Sequence, residues 1–110
     1  MDSQSLTALT KRLEADISMM LRRIDQSKLD EKPRSAVAKL RQSLIDAKIY
    51  IRDYELSEMR DEQLKNAKTG RKWLEQGRQA ILKASEYNVF GAIDVAHLTA
   101  QIDQLIGDLK

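Results

Sequence analysis

Cysteine is absent from this chain, and proline, tryptophan and histidine each occur once among its 110 residues. Without cysteine there is no disulfide, no thiolate metal site and no thiol nucleophile, and the composition fits a reducing cytoplasm. With one histidine, a Ser-His-Asp arrangement has only His97 to use. A single proline and few valines and threonines leave little signal for strands. No apolar run approaches the roughly 20 residues that span a bilayer. The start, Met1-Asp2-Ser3-Gln4-Ser5, has no basic region and is followed by Lys11, Arg12, Glu14 and Asp16, so it does not read as a signal peptide. No membrane partner is expected.

What is present is charge. A third of the residues are charged and the net charge is only +2, a composition that favours long helices. A chain of this length forms one domain, over 1–110, and buries enough surface to fold without metal or disulfide. The charges are unevenly placed. Lys65, Lys68, Arg71, Lys72, Arg78 and Lys83 face a single acid, Glu75, whereas Glu86, Asp94, Asp103 and Asp108 follow with only Lys110 opposed to them. These two segments are expected to pair with each other.

Apolar residues recur at spacings of three and four through most of the chain. Leu6, Leu9, Leu13, Ile17, Met20 and Ile24 form one narrow face over 5–24, with Leu21 at its edge. Pro33 suits the first turn of a second helix, over 33–57, with Asp30 or Glu31 at or just before its cap. This second helix has two apolar rows. Val37, Leu40, Leu44, Ala47, Ile51 and Tyr54 form one, and Ala38, Ile45, Ile49 and Leu56 the other, well round the cylinder. A helix apolar on two sides has to be covered on two sides.

Tyr54 to Gln63 contains no glycine or proline, yet a continuous helix through it would run for about 55 residues, or roughly 80 Å. The apolar phase also slips by about one residue between Ile51-Tyr54 and Leu64-Ala67. A break near 56–61 is therefore expected, followed by a third helix over 62–87 lined by Leu64, Ala67, Leu74 and Ile81, with Trp73 and Ala80 on the flank. Gly70, Gly77 and Ala84 repeat every seven residues along it. Interior glycines cost about 1 kcal/mol each, so a Leu or Ile from a neighbouring helix is expected close to them. Asn88 or Gly91 supplies a left-handed turn, Val89 and Phe90 fold back as a plug, and Asp94 caps a last helix over 94–109 whose seam is Val95, Leu98, Ile102, Leu105 and Leu109. The fold that follows is all-α, an antiparallel four-helix bundle. Its rival is a long central helix, bent near 56–61, with the first and last helices folded back on it.

Chemistry has few starting points. Asp94 and His97 stand three apart, and a cap with a first-turn histidine accounts for them. A di-iron bundle needs Glu-x-x-His twice, and one histidine supplies neither pair. Asp46 and Asp53 alternate with Lys39, Lys48 and Arg52, the pattern of a solvated, salt-bridged face. The glycine spacings match neither the phosphate loop nor the dinucleotide fingerprint. No enzyme activity, cofactor or metal is expected.

Two surfaces remain. The second row of helix two, with Tyr50 and Met59 beside it, gives a protein interface of Ile45, Ile49, Tyr50, Leu56 and Met59. It suits a homodimer, or another protein partner, and so an interaction or adaptor module. Met19, Met20 and Met59 otherwise read as gap-fillers. The alternative is a small regulatory nucleic-acid binder using Lys65, Lys68, Arg71, Lys72 and Arg78 as a phosphate-following stripe, though without interleaved aromatics.

Overall fold

Apolar spacing decides which face each helix turns toward the shared core. The computed structural model describes residues 5–109, which form α1 (Leu6–Leu21), α2 (Glu31–Leu56), α3 (Arg60–Ser85) and α4 (Ala92–Asp108). Met1 to Gln4, part of the stretch read for a signal peptide, and Lys110 lie outside the described residues. Ion pairs and packing contacts set the directions. Glu14 of α1 meets Lys48 of α2 and Leu6 meets Glu55; Gly77 of α3 lies against Leu40 and Leu44 while Gly70 lies against Ile51; Arg78 meets Asp103 of α4. Asp16 and Gln101 join α1 to α4. Each helix runs antiparallel to its sequence neighbour, in the ring α1–α2–α3–α4, and the four-helix bundle is the observed architecture.

The inner row of α2 is core: Val37, Leu40, Leu44, Ala47 and Ile51 are buried, and Tyr54 packs against them. From α1 come Leu13, Ile17 and Leu21, from α3 Ala67, Leu74, Ala80, Ile81 and Ala84, and from α4 Leu98, Ile102 and Leu105. Leu109 follows the last turn of α4 and is buried as well. Val89 and Phe90, between α3 and α4, close one end of the bundle. Trp73 packs on the flank of the core, as its spacing predicted.

Both heptad-spaced glycines are buried, and aliphatic side chains approach them. A Cβ at Gly77 would lie 3.7 Å from Leu44 Cδ2 and 3.8 Å from Leu40 Cδ1; one at Gly70 would lie 3.6 Å from Ile51 Cγ1 and 3.5 Å from Leu109 Cδ1. The expected inserts from neighbouring helices are therefore present.

Several boundaries differ from the pattern. α1 stops at Leu21, and Ile24 reaches the core from the loop beyond it, where Asp25 caps a 3₁₀ turn at Gln26–Lys28. α2 starts at Glu31, two residues before Pro33, with Asp30 as its N-cap. The expected break falls at Ser57, Glu58 and Met59. Three side-chain bonds brace this turn: Ser57 Oγ donates to the Asp53 carbonyl, Gln63 Nε2 donates to the Ser57 carbonyl, and Asn66 Nδ2 donates to Ser57 Oγ. At α4 the expectation fails. Gly91 is the N-cap, and Asp94 lies in the first turn, where its charge suits the helix dipole without a capping bond. Leu64, expected in the α3 lining, is 46% exposed.

Candidate protein interface

Among the described residues the second row of α2 is left exposed in part, with Ile45 bordering Glu14, Ile17 and Ser18 of α1. Ile45 and Ile49 are 43% and 42% exposed, Leu56 is 72% exposed at the helix end, and Met59 is 63% exposed in the turn that follows. α1 and α3 take the inner face of α2, and this row runs along its solvent side from the middle of the helix to the α2–α3 turn. Tyr50 belongs elsewhere. It is half-buried, and its Cβ lies 3.7 Å from where a Gly70 Cβ would stand, so it packs between α2 and α3. One step along a helix turns a side chain by about 100°, which separates Tyr50 from Ile49. Met59 and Met19 are exposed, whereas Met20 is half-buried against the core, so only Met20 fills a gap.

The row ends in a cleft of about 450 Å³ lined by Asp53, Leu56, Ser57, Glu58, Met59, Glu62 and Asn66. Three carboxylates therefore surround the two most exposed members of the row. At the opposite end of the α2–α3 hairpin, Lys32, Lys39 and Lys83 line a groove floored by Ala36. Lys83 Nζ lies 3.3 Å from Glu86 and 5.8 Å from the centre of the Tyr87 ring; the Glu86 carboxylate, by hydrogen bond and charge, raises its pKa above the ordinary lysine value.

The basic residues of α3 do not form one continuous stripe. Arg71 donates to the backbone carbonyl of Leu109, and Arg78 pairs with Asp103 at 3.0 Å. Both are thereby turned toward α4, and Lys65, Lys68 and Lys72 stay exposed. The expected pairing of the third and fourth segments thus rests on Arg78 with Asp103, between helices, and on Lys83 with Glu86, within one turn. On α2, Lys48 pairs across to Glu14, and Arg52 reaches Asp53 at 3.9 Å.

His97 meets Asp16 rather than Asp94: Asp16 Oδ2 is 3.7 Å from His97 Nε2, and Gln101 Nε2 lies 2.9 Å from both. Sequence spacing missed this cluster because its members come from two helices far apart in the chain. It is polar and surface-lying, and it borders a pocket of about 200 Å³ lined by Leu9, Arg12, Gln101, Gln104 and Leu105. Among the described residues no group of three His, Asp or Glu side chains is placed to hold a metal ion, and no helix is long and apolar enough to cross a membrane. No family model, curated protein or solved structure matches the chain.

Proposed function

We propose that this chain is a non-enzymatic helical interaction module of the cytoplasm that self-associates through the outer face of α2. One observation carries the reading: Ile45, Ile49, Leu56 and Met59 form an apolar line that stays between 42% and 72% exposed among the described residues. Burial of such side chains supplies about 25 cal/mol per Å² removed from water. A two-fold related copy lays its own α2 along this face and so needs no other partner. The cysteine-free composition fits the reducing compartment.

Light scattering after gel filtration tests it. The expected mass is twice that of the chain, and Ile49→Asp is expected to halve it while leaving the helical circular dichroism intact. Ile51→Asp, two residues on and fully buried, is expected to unfold the bundle instead. A wild-type protein that stays monomeric at high concentration overturns the proposal.

A further inference from the structure

Lys32, Lys39, Asp46 and Asp53 stand seven residues apart in α2. A heptad drifts by about 20° on a straight helix, so the four lie on one slanting stripe that turns by about 60° from end to end, two cations followed by two anions. Lys32 and Lys39 are exposed and have neither ion pair nor hydrogen bond among the described residues. Asp46 has only two long contacts of 3.4 Å from Gln42, and the cation nearest Asp53 is its chain neighbour Arg52, at 3.9 Å. The stripe borders the apolar row directly. Ile49 is the helix-surface neighbour of both Asp46 and Asp53, and Leu56 is the neighbour of Asp53.

The grooves at the two ends of the hairpin carry the same polarity. Lys83 joins Lys32 and Lys39 in the groove at one end, and Glu58 and Glu62 join Asp53 in the cleft at the other. This face is complementary to itself in one orientation only. With a second copy antiparallel, Lys39 faces the partner's Asp46 and Lys32 faces the partner's Asp53. Both pairings share one midpoint, between Gln42 and Ser43, close to the middle of α2. A single two-fold axis there therefore satisfies all four ion pairs. A parallel copy sets lysine against lysine and aspartate against aspartate.

We infer that the partner on this face is a second copy of the chain, held antiparallel with α2 against α2, its register set by the Lys32-Lys39-Asp46-Asp53 stripe. The inference rests on the self-association proposed above and adds its orientation. Exposed ion pairs contribute little individually, so the stripe selects orientation and register. Ile45 and Ile49, close to the axis, supply the apolar contact against the partner's Ala38 and the partner's Ile45, and Leu56 lies opposite the partner's Leu29.

The test is charge reversal measured by sedimentation at low salt. Lys32→Asp with Lys39→Asp makes the stripe wholly acidic, and Asp46→Lys with Asp53→Lys makes it wholly basic. Each double variant alone is expected to dimerise roughly tenfold or more weakly than the wild type, through like-charge repulsion. An equimolar mixture of the two is expected to recover the dimer as a heterodimer, seen by native mass spectrometry. Should a reversal impair folding, a spin label on Glu31→Cys in the otherwise cysteine-free chain reads orientation directly. Antiparallel copies place the labels roughly 35 Å apart, and parallel copies about 10 Å. Reversed variants that dimerise as well as the wild type, or a short label distance, overturn the antiparallel stripe and leave self-association standing. A monomeric wild type overturns both.

Discussion

The carboxylate of Glu55, in the last turn of α2, accepts both the backbone N–H and the hydroxyl of Thr7, in the first turn of α1. Its oxygens take the Leu6 and Thr7 N–H groups at 2.8 Å each, while Ser5 Oγ takes the N–H of Ala8 at 3.0 Å. Three of the four N–H groups that a helix start leaves without partners are thus satisfied. An acid near the end of α2 is unfavourable to the α2 dipole, and Glu55 is compensated by the opposite dipole end of α1.

Glu55→Ala is therefore expected to lower stability by about 1–2 kcal/mol, the range for a cap combined with hydrogen bonds to a charged group. Urea denaturation followed by circular dichroism measures it. Glu55→Gln keeps one acceptor oxygen and is expected to cost less. Equal stability of Glu55→Ala and wild type would show that this cap contributes nothing in solution.

Asn88, in the turn that follows α3, has φ at 61°, and behind it the N–H of Val89 donates to the Ala84 carbonyl at 3.2 Å. This left-handed residue turns the chain so that Val89 and Phe90 close the bundle end. A side chain without asparagine's local hydrogen bonding is disfavoured there, so Asn88→Ala is expected to cost about 1 kcal/mol and Asn88→Gly to be neutral or slightly stabilising. Thermal unfolding of the two variants side by side checks the order. The reverse order would refute it.

The inner and outer rows of α2 were legible because helical spacing alone separates Ile51 from Ile49. The sequence also located the turn between α2 and α3, since one straight helix is too long for the domain and its apolar phase slips. Side-chain partners at the helix ends were not legible. Asp94 has the residue type of an N-cap, yet Gly91 takes that place because the chain leaving Phe90 is already extended there. Glu55 caps a helix that starts 49 positions earlier in the chain, a distance no local pattern spans. Tyr50 and Tyr54 stand at i and i+4, a spacing that suits an interface, yet Tyr50 packs against Gly70 and Tyr54 against the core. Arg71 and Arg78 lie adjacent to the lysine sector of α3, but α4 draws both toward it, as only the packed structure reveals.

Gly77 is expected to accept alanine. A methyl there would meet Leu44, Ser43 and Leu40 at 3.7, 3.7 and 3.8 Å, ordinary van der Waals distances. The helix interior gains up to about 1 kcal/mol from the replacement. Gly77→Ala should therefore raise the urea midpoint, while Gly77→Leu should lower it through overpacking worth about 1–3 kcal/mol. A destabilised alanine variant would mean that the α2–α3 contact is closer in solution than these distances allow.

Leu109 and Gly70 form a testable pair. Leu109 is 2% exposed, its Cδ1 stands 3.5 Å from where a Gly70 Cβ would be, and its carbonyl receives Arg71. The glycine and the leucine occupy one volume between α3 and the end of α4. Leu109→Ala leaves a cavity there and is expected to cost about 2–4 kcal/mol. Gly70→Leu alone is expected to destabilise by crowding Leu109, Ile51 and Tyr50. In the Leu109→Ala background the same substitution grows toward the vacated space, so the double variant is expected to be more stable than the sum of the two losses by about 1 kcal/mol or more. A double-mutant cycle in urea reads this coupling directly. Strict additivity would mean that the two positions do not share a volume, and that the end of α4 is not packed on α3 as the bundle requires.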